Sequence, residues 1–210
     1  IGKSIVDLDY EFAPGSKIVL LKDGGISNYL FINTGRFLKM NGTSVTSLSS
    51  SCGDINFIIS GNSNSSLEFV DSEVKNLQYI IVESQMEKLS STNTVYDNNT
   101  YFCHIDGGKI VNELSLLGIT FNGNWVSDAM LLIQNQNLTS FENNTISNYK
   151  AAIGVHDNSH FIARGNSFYT NYGIIVEADN GLPSVDIVED NYFFNGRTDI
   201  TFHNGFVNIR

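Results

Sequence analysis

Short apolar runs alternate with clusters of Asn, Gly, Ser and Thr along the whole chain, and the alternation has a period. Phe57-Ile58-Ile59, Ile80-Ile81-Val82, Met130-Leu131-Leu132-Ile133 and Ile174-Ile175-Val176 each give way to Gly, Asn, Asp or Ser almost at once. Runs rich in β-branched residues and bounded by turn formers predict strands. A second phrase, small-polar, x, large-apolar, then Asn, keeps step with the first: Ser72-Glu73-Val74-Lys75-Asn76, Asn144-Thr145-Ile146-Ser147-Asn148 and Asn166-Ser167-Phe168-Tyr169-Thr170-Asn171 are examples. Its apolar markers, Val74, Val95, Phe121, Ile146, Phe168 and Phe193, recur at steps of 21 to 26 residues. Two markers in phase at such a period predict a solenoid with at least two strands per repeat.

Helical periodicity is nearly absent outside Glu83 to Leu89, so the class is all-β. Strand pairs that recur without room for helical crossovers are most simply coiled, each strand pairing in parallel with its equivalent about 4.8 Å away. The expected fold is a single-stranded right-handed parallel β-helix, with about eight rungs in 210 residues. The first markers should form one inward column. Ile59, Val82, Ile105, Ile133, Val155, Val176 and Phe202 should form another. Asn93, Asn144, Asn166 and Asn191 are expected to stack as an internal amide ladder, because Asn tolerates left-handed bends and carries both a donor and an acceptor.

No Pro/Gly/Ser linker divides residues 1–210, which read as one continuous domain. Ile1 opens directly into a strand-like alternation, and Phe206 to Arg210 begins a further rung. The expectation is a piece of a longer chain. Cys52 and Cys103 lie two rungs apart, roughly 10 Å along the axis, which exceeds disulfide reach and predicts free buried thiols. Asn-x-Ser/Thr sequons at Asn41, Asn64, Asn98, Asn137 and Asn143 are what so much Asn, Ser and Thr produces by chance.

A formal net charge of −10 with scattered basic residues excludes a nucleic-acid surface. No apolar stretch approaches the roughly 20 residues of a membrane span. Strand side chains alternate, so the residue after each second marker should face outward: Ser60, Glu83, Asp106, Gln134, His156, Glu177 and His203. Within that column His156 with Asp157, beside Glu177 and Asp179, has the composition of an acid/base pair or a cation site. The same residues fit a solvated polar ridge. Glu83, Asp106, His156, Asp157, Glu177, Asp179 and His203 are therefore the candidate binding residues, with no catalytic assignment. Closely spaced zinc ligands, a Gly-x-Ser-x-Gly elbow and a phosphate loop are absent from the sequence, and no cofactor is expected. Trp125, Tyr169, Tyr172 and Tyr192 are candidate stacking platforms for a sugar.

With its rungs, asparagines and phrases such as Gly165-Asn166-Ser167-Phe168-Tyr169-Thr170-Asn171-Tyr172-Gly173-Ile174-Ile175-Val176, the chain resembles the right-handed parallel β-helix, pectate-lyase-like superfamily over roughly residues 30 to 210. Phe12-Ala13-Pro14-Gly15-Ser16-Lys17-Ile18, Phe37 to Thr43, Ser51-Cys52-Gly53-Asp54 and Leu67 to Ser72 resemble secreted surface β-helices of Bacteroidota. The Phe-x-x-Asn phrases at Phe121, Phe141 and Phe168 resemble chlamydial polymorphic outer-membrane proteins, without the companion Gly-Gly-Ala. The Bacteroidota resemblance implies export by type IX secretion within very long adhesin-like chains. It also implies an extracellular or cell-surface location, and as partners an extracellular polysaccharide, a host or abiotic surface, and other domains of the same chain. The catalytic signatures of polygalacturonases, pectate lyases and mannuronan epimerases do not occur. The leading expectation is a non-catalytic stalk or adhesin-type module. A polysaccharide lyase, hydrolase or epimerase, or a phage tail-spike domain, stays open as the alternative.

Overall fold

A computed structural model describes residues 3–6, 8–21, 28–47, 56–61, 64–82, 86–105, 111–125, 129–177, 181–187, 190–194 and 196–210. The chain coils as a parallel β-solenoid. Sheet A holds nine strands, from Lys3–Val6 to Thr198–Phe202; sheet B holds nine, from Tyr10–Phe12 to Phe206–Ile209; sheet C holds eight, from Lys17–Leu20 to Tyr192–Phe193. Within each sheet the order follows the chain in steps of three strands, and the pairings are parallel. Every turn thus contributes one strand to each of three faces. The sequence pattern marks two of the three. Most sheet B strands carry two or three inward residues, such as Leu67 and Phe69 or Phe161 and Ala163, and their outward positions mix polar residues with apolar ones such as Val70 and Ile162.

The core is one contiguous cluster running from Ile18 to Ile187. On sheet C the inward column is Ile18, Val45, Val74, Tyr96, Phe121, Ile146, Phe168 and Phe193, each in register with the next. Val95 is not part of it. Its side chain is exposed while Tyr96 is fully buried, with its ring against Phe121 (5.2 Å, 17°) and its hydroxyl 2.9 Å from Ser91 Oγ. Phe168 and Phe193 likewise stack at 4.7 Å and 11°. Each such pair adds about 0.5–1.5 kcal/mol to the burial of the rings. On sheet A the second marker set holds its register: Ile59 with Val82 and Ile105, and Ile133 with Val155, Val176 and Phe202.

From Asn41 to Ser167 the corners between sheets B and C span two residues, and each position has one job. The first is left-handed: Gly42 (φ 54°), Asp71 (47°), Asn93 (48°), Gly118 (62°), Asn143 (57°) and Gly165 (64°). Only Gly, Asn and Asp adopt that conformation readily. Gly118 has a second constraint, since a Cβ there would meet Asn93 Oδ1 at 2.8 Å. The second position points inward: Thr43, Ser72, Thr94, Ile119, Asn144 and Asn166 are all buried. Asn191, which precedes the last sheet C strand, continues this column.

The amide ladder therefore exists with three asparagines. Asn144 Oδ1 accepts the Ile119 N–H at 2.8 Å, Asn166 Oδ1 accepts the Asn144 N–H at 2.9 Å, and Asn191 Oδ1 accepts the Asn166 N–H at 3.1 Å. Their Nδ2 groups donate to the carbonyls of Leu116, Phe141 and Ala163 at 3.1, 2.9 and 3.0 Å. Asn93, expected in the stack, occupies the left-handed position instead, and Thr94 takes the inward one. Cys52 lies outside the described residues, as does the side chain of Cys103.

Candidate functional site

Sheet A turns its outer face to a groove of about 630 Å³. Its floor follows one register line, Leu132, Gly154, Ile175 and Thr201. Gly154 is there for space: a Cβ would lie 2.9 Å from Leu132 Cδ1 and 3.2 Å from His156 Nε2. Leu132 and His156 close over this glycine and shape the hollow. Thr201 Oγ1 sits on the floor without a hydrogen-bond partner.

One rim is built where the chain leaves the sheet A strands. Gln134, His156 and Glu177 are in register, and His203 follows with its N–H on the Val176 carbonyl at 3.0 Å. The Glu177 carboxylate lies between two imidazoles, with Oε2 3.8 Å from His156 Nε2 and Oε1 3.6 Å from His203 Nε2. Tyr101, Lys150 and Tyr172 line the groove from where the chain enters the same sheet. The arrangement offers hydrogen-bond donors and acceptors on one side, aromatic rings and an ammonium on the other, and an apolar base between.

The outward column expected from alternation is thus present at Gln134, His156, Glu177 and His203. Glu83, Asp106 and Asp179 lie outside the described residues. Asp157 does not face the groove with His156. It is a buried corner residue at φ 53°, its Oδ2 accepting from Gln134 Nε2 at 2.7 Å and its N–H donating to the Glu177 carbonyl at 3.2 Å. A residue one step past the strand end turns with the corner, so alternation no longer governs it. Tyr101, Lys150 and Tyr172 carry a weaker signal: they fall at the entrance of sheet A strands, a position the apolar runs do not mark.

Of the proposed sugar platforms, only Tyr172 belongs to this groove. Tyr169 lies face to face with Phe194 (4.7 Å, 7°), and Tyr192 is 6.2 Å from the same ring. One face of the Tyr169 ring is therefore spent on its neighbour. Among the described residues no group of three or more His, Cys, Asp or Glu is placed to hold a metal ion. Nor is any helix among them long and apolar enough to cross a membrane. Compared with family models, with curated proteins and with solved structures, the chain matches none of them.

Proposed function

We propose that this chain is a non-catalytic segment of a large secreted or cell-surface protein, a stalk or adhesin-type rod that projects and presents a surface. The observation that carries the reading is the shortness of the corners. Among the described strands the longest connection, from Ser47 to Asn56, is eight residues, and six successive corners between sheets B and C are two residues long. Among the described residues no loop overhangs a face to close it into a cleft. Each turn instead bonds to both neighbours and adds a fixed rise of about 4.8 Å, so length scales with turn number. The resemblance of residues 12–18, 37–43, 51–54 and 67–72 to Bacteroidota surface β-helices supports export by type IX secretion. On this reading the groove on sheet A binds rather than transforms, with an extracellular polysaccharide or a host or abiotic surface as its partner.

A polysaccharide-cleaving enzyme is the second reading, favoured by Glu177 between two histidines in a groove that also holds Tyr101 and Tyr172. One experiment separates the two. Saccharide panels incubated with the protein are assayed for new reducing ends and unsaturated products, in parallel with a His156→Ala, Glu177→Ala variant of unchanged unfolding midpoint. The rod reading expects no turnover from either protein; turnover lost in the folded variant overturns it.

A further inference from the structure

Outside the groove, the outer face of sheet B brings a serine, a histidine and an aspartate together across two adjacent turns. His160 opens its strand directly opposite Ser184, and Asp186, two residues beyond Ser184 on the same outward side, is opposite Ile162. His160 Nδ1 lies 2.7 Å from Ser184 Oγ. On the far side of the ring Nε2 faces Asp186 Oδ2 at 4.0 Å. The carboxylate is itself held, since Asn208 Nδ2 on the next turn donates to Asp186 Oδ1 at 3.0 Å.

The order of these contacts suits one direction of the proton. At 4.0 Å the Asp186 carboxylate acts on the ring by its charge and not through a hydrogen bond, and that charge favours the tautomer with the proton on Nε2. Nδ1 is then the free lone pair, and the 2.7 Å contact has the Ser184 hydroxyl donating to it. A hydroxyl hydrogen-bonded to a base that a third group orients is the arrangement of an activated nucleophile, whatever the fold. Side-chain exposures of 41% for His160 and 30% for Asp186 leave the cluster open to solutes. In register beside it stand Asn137, next to His160, and Phe206, next to Ser184, neither of which titrates.

We propose that Ser184 is an acyl acceptor, activated by His160 and positioned through Asp186, that takes the acyl group of carboxylic esters. Ser184 Oγ attacks the ester carbonyl while its proton passes to His160 Nδ1. The tetrahedral adduct expels the alcohol, which leaves with that proton, and an ester of Ser184 remains. The balance is one serine hydroxyl and one ester in, one seryl ester and one alcohol out. On a presenting rod this would fasten an acylated partner covalently, by a face that the sheet A groove does not touch.

The test uses p-nitrophenyl acetate, with p-nitrophenolate release followed in time and the acetylated residue located by peptide mass mapping. The expected result is acetylation concentrated on Ser184 and lost in Ser184→Ala. His160→Gln keeps a side chain that can hydrogen-bond the hydroxyl but cannot take its proton, and is expected to slow the reaction about 100-fold or more. Asp186→Asn slows it less. Acetyl groups spread over lysines, tyrosines and other serines without preference for Ser184 would overturn the proposal. So would an unchanged rate in His160→Gln with an unchanged unfolding midpoint.

Discussion

The inward column at the corner between sheets B and C is built in two chemistries, and the two halves do the same task unequally. Ser72 Oγ accepts the Thr43 N–H at 3.1 Å, and its single proton must choose between the carbonyls of Met40 (2.9 Å) and Val70 (2.8 Å). Thr94 Oγ1 reaches the Ser72 N–H only at 3.4 Å and gives its proton to Thr92 of its own turn. In the later turns each amide accepts from the preceding turn and also donates to it. A hydroxyl therefore divides its one proton between its neighbour and its own turn, whereas a carboxamide ties down a donor and an acceptor of its neighbour at once. Outside the hydroxyl half, an ionic clamp adds a further link: Lys88 Nζ lies 3.3 Å from Glu68 and 3.4 Å from Glu113, across three successive turns of sheet B.

The largest effect is expected from breaking the amide half at its centre. Asn166→Ala strands the Asn144 N–H and the Phe141 carbonyl in a dry interior, at about 1–3 kcal/mol each. Urea unfolding should show a loss of roughly 3 kcal/mol or more. Ser72→Ala removes one acceptor and should cost about 1–2 kcal/mol by the same measurement. A gap smaller than the error between these two variants would remove the distinction.

Ile119 is the apolar residue where the halves meet, and replacing it sharpens the comparison. In Ile119→Asn the new amide stands one turn before Asn144, placed to accept from the Thr94 N–H and to donate to the Ser91 carbonyl. Joining the ladders in this way should hold the change within about 1 kcal/mol. A buried amide without partners would cost several. Thermal unfolding decides between them.

The smallest effect belongs to the outer clamp. Burial pulls the Lys88 pKa down, but the hydrogen bond and charge of Glu68, joined by those of Glu113, outweigh it and leave the ammonium above its ordinary 10.5. A raised pKa means that its contribution is complete below pH 10.5 and is lost as pH climbs through the folded value. Lys88→Met should flatten the decline of stability in that alkaline window, with at most about 1 kcal/mol between the proteins at pH 7.

These two halves also explain what could be read from the sequence and what could not. Where two asparagines stand together, as at Asn143-Asn144, the left-handed residue and the ladder residue are both visible. At Asn93-Thr94-Val95-Tyr96 only one asparagine remains, and it can serve either position. Aligning Asn93 with Asn144 shifts the strand by one residue and puts Val95 inward. The deciding facts, that Thr can replace Asn in the ladder and that a Tyr can be buried if Ser91 receives its hydroxyl, are tertiary. The sheet A columns were legible because their apolar runs are long enough to keep phase. Sheet B was not, since its inward residues alternate singly with outward ones, as in Leu67-Glu68-Phe69 and Phe161-Ile162-Ala163, and form no uninterrupted run to mark the strand, and the Ser184, His160, Asp186 cluster lies there. Of the groove, the rim at His156, Glu177 and His203 follows from strand alternation. The Tyr101, Lys150 and Tyr172 side depends on how corners of different length bring the chain back onto the sheet.

The left-handed residue at the two-residue corner sets where this molecule can grow. Its backbone conformation and the inward hydrogen bonds beside it leave no slack for an added residue, whereas the connections from sheet C back to sheet A already range from two residues, between Tyr169 and Tyr172, to eight. Peptide epitopes or affinity tags grafted into this protein belong in those return connections. The opposite edge is a molded seam that repeats unchanged through the six coils between Asn41 and Ser167.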